Sequence, residues 1–160
     1  MDILTLPRQP TKIKPAMSPE TIYVAPLSLV QMTIADARVS HLVTLINDET
    51  VIQTPEGIGA GRHLRLAMND ICEPQSGLVP PCEGHVSDLI KFALAWDRQA
   101  PLLIHCWAGI SRSTAAAFIT LCALNPEASE REAARALRRL PIPIAFSSRL
   151  PTRRFRVMAE

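Results

Sequence analysis

The chain has 160 residues, of which 48% are apolar and 20% charged, with a formal net charge of +2. That length suits one domain over 1–160 that buries a core without disulfides or metals, and the charge balance argues against a disordered tail or a nucleic-acid partner. Arg outnumbers Lys 14 to 3 and recurs from Arg138 to Arg156, which reads as a weakly basic, solvated face. No run of about 18 apolar residues occurs, so no membrane partner is expected. Residues 1–17 lack the apolar core of a secretion signal, and the protein is expected in the cytoplasm. The four cysteines, Cys72, Cys82, Cys106 and Cys122, form no CxxC pair, so neither a metal site nor a thioredoxin-type centre is expected and the thiols should be reduced.

In chain order, residues 1–20 carry several Pro and Lys and read as an extended or frayed segment. Ile22–Val24 reads as a short strand. Leu27–Arg38 shows Leu27, Val30, Ile34 and Ala37 on one helical face, and Leu42–Ile46 is a compact apolar strand. Residues 47–61, with Pro55, Gly57, Gly59 and Gly61, form a loop. His63–Met68 alternates as a strand with Leu64, Leu66 and Met68 on one face, and Asn69–Gly84 is a second long loop of the kind that often carries function. Val86, Leu89, Ile90, Ala93 and Leu94 mark a helix. A buried strand ends at Cys106, and the Ala-rich, Gly-free Ser113–Leu124 continues as a buried helix until Asn125-Pro126 stops it. Ser129 and Glu132 form a capping box for a last helix bearing Ala133, Ala136, Leu137 and Leu140 up to Pro141. Short apolar strands alternating with helices predict an α/β fold around a central, mostly parallel sheet.

The chemistry concentrates in His105-Cys106-Trp107-Ala108-Gly109-Ile110-Ser111-Arg112-Ser113, a strand-to-helix turn with an Arg six positions after a Cys. Such turns gather backbone N–H groups around an anion. A thiolate attacks phosphorus only when its pKa lies well below about 8.5, and a helix N-terminus with a nearby cation achieves that at Cys106. The N–H groups of Trp107, Ala108, Gly109, Ile110, Ser111 and Arg112 could surround the oxygens of a phosphate, with the Arg112 guanidinium gripping two at once. Gly109 permits the curl, and Ser113 can hydrogen-bond the sulfur as attacker and as leaving group.

His105-Cys106-x-x-Gly109-x-x-Arg112-Ser113 resembles the signature of the cysteine-based protein tyrosine phosphatase superfamily. In its order of elements from Ile22 to Leu140 the chain is similar to the small dual-specificity and bacterial tyrosine-phosphatase-like members. The resemblance implies the protein tyrosine phosphatase-like fold (phosphotyrosine protein phosphatases II type) and no cofactor. It also implies hydrolysis of phosphate monoesters on a protein or peptide, phosphotyrosine and also phosphoserine or phosphothreonine, through a phosphocysteine on Cys106 stabilised by Arg112. A carboxylic acid on an upstream loop protonates the leaving oxygen in that family. Asp70, 36 residues before Cys106 and at the head of the second loop, is the expected acid, with Glu73, Glu83 and Asp48 as competitors. His105 is expected to be a buried group orienting the Cys and loop backbone, and Trp107 to pack under the loop or line its rim, packing being preferred; Cys72, Cys82 and Cys122 are read as structural, Cys122 in the core, while relatives that pair the nucleophile with a nearby Cys make Cys72 a second-choice partner for Cys106. The loop carries no Lys, which disfavours an inositol phosphate substrate. Residues 141–160 depart from the family pattern, and 151–157 would be a shortened closing helix. The alternatives are a phosphate-binding module without turnover and a thiol redox or sulfur-transfer enzyme using the same loop, in which Asp70 has no role.

Overall fold

The computed structural model describes residues 18–138 and 144–149. A five-stranded sheet in the order β3-β2-β4-β1-β5 is built from β1 (Thr21–Pro26), β2 (His41–Thr44), β3 (His63–Arg65), β4 (Leu102–Cys106) and β5 (Ile144–Ser147). The first four strands run parallel and β5 pairs antiparallel with β1, so the expected α/β fold with a mostly parallel sheet is borne out. Strand alternation sends Ile22, Val24, Leu102, Ile104 and Cys106 to one face, where α2 (Glu83–Ala95), α3 (Arg112–Leu124) and α4 (Glu130–Arg138) cover them. Tyr23, Ala25, Leu42 and Leu103 face the other way, under α1 (Val30–Ala37).

The winding follows from the crossovers. From β1 the chain moves through α1 past β4 to β2, and from β3 it returns through α2 to β4. A right-handed crossover in opposite directions puts the two helices on opposite faces. The reversal falls between β1 and β4, and open α/β sheets hold their ligands beyond the carboxyl ends of strands at such a point. There the strands are level, with Pro26 beside Cys106 and Thr44 beside His105.

Several boundaries differ from the sequence expectation. A 3₁₀ turn, Leu27–Leu29, precedes α1, and Arg38 ends it in the left-handed region at φ 53°. β3 stops at Arg65; Leu66 still donates to the Thr44 carbonyl at 2.8 Å, after which the chain leaves the sheet toward the second loop. Leu66 and Met68 are buried as expected. Leu94 is 61% exposed, because five residues from Leu89 place it about 140° round the helix. Phe92 and Trp96 pack against the core there instead. The Ser129–Glu132 capping box forms, with Glu132 N–H to Ser129 Oγ at 3.3 Å and Ser129 N–H to Glu132 Oε2 at 2.9 Å. Leu140 and residues 151–157 lie outside the described residues, as do 1–17.

β5 is an element the sequence reading did not contain. It pairs Ile144 with Val24 and Ser147 with Thr21, beyond the prolines at 141 and 143, which only an edge strand tolerates readily. Asn125, at the end of α3, ties it down: its Nδ2 donates to the Leu121 and Ser148 carbonyls, each at 2.8 Å. Asn125→Ala should lower unfolding stability by about 1–3 kcal/mol, the usual cost of leaving buried carbonyls unpaired. Urea unfolding measures it, and an unchanged midpoint would mean that water replaces the amide at no cost.

Candidate active site

The loop between β4 and α3 begins where the sheet ends. Two further hydrogen bonds extend the ladders to its base, Leu45 N–H to the His105 carbonyl at 3.0 Å and Leu27 N–H to the Trp107 carbonyl at 3.1 Å. Gly109 then turns at φ 70°, and a Cβ there would stand 2.6 Å from the Pro26 nitrogen and 2.7 Å from the Ala25 carbonyl carbon. No residue but Gly allows that approach together with that φ. The loop therefore lies directly on the end of β1.

Trp107 does not pack beneath the loop, which corrects the preferred of its two expectations. Its side chain stands at the rim and the residue is 52% exposed, with Ile110 62% exposed beside it. Val79, on the second loop, adds another exposed apolar side chain at 50%.

Cys106 is buried, and its sulfur is met by donors. Gly109 N–H points at Sγ from 3.3 Å, and Ser113 Oγ lies 3.2 Å from it. Burial by itself raises the thiol pKa, yet the hydrogen bonds together outweigh it. The Ser113 hydroxyl and the backbone N–H groups of Ser113, Gly109 and Ile110 bring the thiol below its ordinary value. Protein donors thus favour the thiolate form where water is excluded.

Arg112, in the first turn of α3, has a side chain only 9% exposed. Its Nη1 donates to the Met68 carbonyl at 2.9 Å, and its Nε stands 4.0 Å from Asp70 Oδ2. The other carboxyl oxygen, Asp70 Oδ1, accepts a hydrogen bond from Ser111 Oγ at 2.8 Å. Asp70 is thereby joined to the Cys106 loop across a gap of 41 residues in sequence. Among the described residues neither Glu73, Glu83 nor Asp48 makes such a bond to the loop. Asn69 sets the base of the Asp70 segment: its N–H donates to the Val79 carbonyl at 2.7 Å, and its Oδ1 accepts from Val79 N–H at 2.8 Å.

His105 is fully buried on the α1 face of β4, and its Nε2 lies 2.7 Å from Thr44 Oγ1. Thr44 Oγ1 is also 2.8 Å from His63 Nε2, and His63 Nδ1 is 2.8 Å from Thr54 Oγ1. Sequence reasoning missed Thr44, His63 and Thr54. Three residues from three different segments meet only through strand register, and the single local signal was a His at the start of a strand. Burial, the largest influence, pushes both His63 and His105 down to about 4.

Cys72 and Cys82 are exposed and free, and Cys122 is half-buried against the core. Among the described residues no cluster of three or more His, Cys, Asp or Glu could hold a metal, and no helix is long and apolar enough to cross a membrane.

Two measurements test this picture. Alkylation of Cys106 by iodoacetamide should proceed at lower pH than that of a free thiol, and Ser113→Ala should move its midpoint upward; equal midpoints would remove Ser113 from the sulfur's environment. Both histidines have an ordinary value of 6.5 and sit near 4 here, so between those values the unfolded chain binds more protons. Their contribution to stability is complete above about pH 6.5 and is lost as pH falls toward about 4. The urea midpoint should therefore drop between pH 7 and pH 5, and a flat midpoint would show that neither ring is held neutral.

No protein-family model matches the chain, and no curated protein matches it. Among solved structures it is similar to the crystal structure of DUSP15, with 18% sequence identity over 72% of this chain and 69% of that chain and a TM-score of 0.49.

Proposed function

We propose that the chain is a phosphoric monoester hydrolase that removes phosphate from phosphotyrosine, with phosphoserine and phosphothreonine also admitted, in the manner of the cysteine-based protein tyrosine phosphatases. The observation that carries this reading is the meeting of two groups of opposite task. A thiol with lowered pKa sits in a ring of N–H donors, and Ser111 bonds a carboxyl group to that same ring.

In this reading Cys106 Sγ attacks the phosphorus as the bond to the ester oxygen breaks. The electron pair goes to that oxygen, which takes a proton from Asp70. The N–H groups from Trp107 to Arg112 and the Arg112 guanidinium hold the charge on the transferring group. Water then attacks the phosphocysteine, the Asp70 carboxylate takes its proton, and the sulfur leaves as a thiolate stabilised by Ser113. His105 acts behind the loop as an orienting group. No cofactor enters either step.

The rim supports the substrate class. Trp107 and Ile110, both within the loop, offer exposed apolar surface to a ring or peptide around the phosphate. Residues 107–111 carry no Lys that would favour a polyphosphorylated ligand.

Hydrolysis of an aryl phosphate such as p-nitrophenyl phosphate tests the proposal directly. Cys106→Ser should abolish it, and Asp70→Asn should lower kcat about a hundredfold or more on a phosphotyrosyl peptide. Full activity in Cys106→Ser would sink the mechanism. Wild-type protein that binds phosphopeptide without releasing phosphate would select a binding module instead, and thiosulfate sulfurtransferase turnover without phosphatase activity would select sulfur transfer. Trp107→Ala should raise KM for a phosphotyrosyl peptide severalfold with little change in kcat, since the indole touches substrate and not the reacting atoms.

A further inference from the structure

Ser111 is the N-cap residue of α3, a place where a serine hydroxyl ordinarily turns back to accept from the N–H groups of the second or third helical residue. Here it makes no such bond. The N–H of Ser113, the second helical residue, is turned to Cys106 Sγ instead and is not offered to a cap. The Ser111 hydroxyl is exposed, points across to the second loop, and donates to Asp70 Oδ1 at 2.8 Å.

The other contacts of that segment hold its backbone and not its carboxyl group. Arg112 Nη1 donates to the Met68 carbonyl at 2.9 Å, and Asn69 is clasped to Val79. The Asp70 side chain keeps two torsions of its own and is 52% exposed. Among the described residues the Ser111 hydroxyl supplies the one hydrogen bond made to its carboxyl group. Arg112 Nε stands 4.0 Å from Oδ2, beyond hydrogen-bond length, and has no hydrogen-bond partner of its own. The two carboxyl oxygens are therefore unlike. Oδ1 is occupied by the hydroxyl, and Oδ2 is left free beside the guanidinium that would grip the phosphate.

We infer that Ser111 is a positioning residue whose hydroxyl, by occupying Asp70 Oδ1, leaves Oδ2 to carry the proton to the leaving oxygen. This rests on the reading of Asp70 as the acid of a phosphatase. As the P–O bond breaks, the electron pair goes to the ester oxygen, which takes the proton from Oδ2, and the negative charge that remains spreads over the carboxylate. A hydroxyl donates more strongly to a carboxylate than to a neutral acid, so the bond from Ser111 to Oδ1 tightens as the proton departs. Its contribution grows with the need for that proton. A weakly basic leaving oxygen departs with little help, whereas a more basic one depends on the acid. Ser111 thereby helps set how basic a leaving group the site accepts.

The test is kcat/KM of the full chain on p-nitrophenyl phosphate and on phenyl phosphate, which are alike in size while phenol is the more basic leaving group. Ser111→Ala should lower the value for phenyl phosphate about two- to tenfold, the scale of one modest net hydrogen bond, and that for p-nitrophenyl phosphate less. Ser111→Thr, which keeps a hydroxyl, should restore most of the loss. In the Asp70→Asn background Ser111→Ala should bring no further loss on phenyl phosphate, since the hydroxyl acts through Asp70. An equal loss on the two substrates overturns the inference, as does a loss that adds in full to that of Asp70→Asn. Ser111→Gly also lacks the hydroxyl and carries the same comparison if Ser111→Ala does not fold. Wild-type protein that hydrolyses neither ester overturns the proposed reaction and this inference together. Hydrolysis that Cys106→Ser abolishes, with no dependence of the Ser111→Ala loss on the leaving group, overturns the inference alone.

Discussion

Everything at the site depends on the contact between Gly109 and the carboxyl end of β1. Two backbones approach there more closely than any side chain allows, so the curl of the loop is fixed by the sheet and not by the loop's own side chains. Once Gly109 lies on Ala25 and Pro26, its N–H points at Cys106 Sγ, and the start of α3 brings Ser113 and Arg112 to the same place. Strand register, level across β1, β2 and β4, thereby becomes the geometry of a sulfur atom.

The electrostatics of that sulfur are a contest between burial and hydrogen bonding. Removing it from water disfavours the thiolate, while the hydrogen bonds from Ser113, Gly109 and Ile110 favour it. The donors win, and they are mostly backbone N–H groups, fixed dipoles that need no rearrangement when charge appears. On the opposite face of β4, burial has no such opposition and holds His105 neutral. One strand thus carries an anion-favouring position and a cation-excluding position side by side, because alternation sends adjacent residues to different faces.

The sequence made the β4-loop-α3 unit legible because its signals are local: an apolar run, a Cys, a Gly and an Arg at fixed offsets, then a helix without Gly. The α/β layering was legible for the same reason, as periodicity is a property of short windows. Asp70 was reached through the family resemblance together with its position at the head of a loop after a strand, and its bond to Ser111 is a long-range fact that no window contains. Three things stayed hidden. β5 sits between prolines and beside Ser148, whose place is fixed by Asn125 from another element. The exposure of Trp107 has no sequence signature, since a loop residue belongs to no periodic face. The Thr54-His63-Thr44-His105 chain joins residues that become neighbours only when β2 is set between β3 and β4.

The clasp that Asn69 forms with Val79 makes the segment between them a self-contained unit. Its two ends are joined to each other by two hydrogen bonds and not to the sheet through its interior. Closing a loop at its base in this way means that lengthening or shortening residues 71–78 changes closure entropy only slowly and leaves the strands untouched. The Cys106 loop is thus set by the sheet, while residues 71–78 hang beside it from a clasp made by one asparagine.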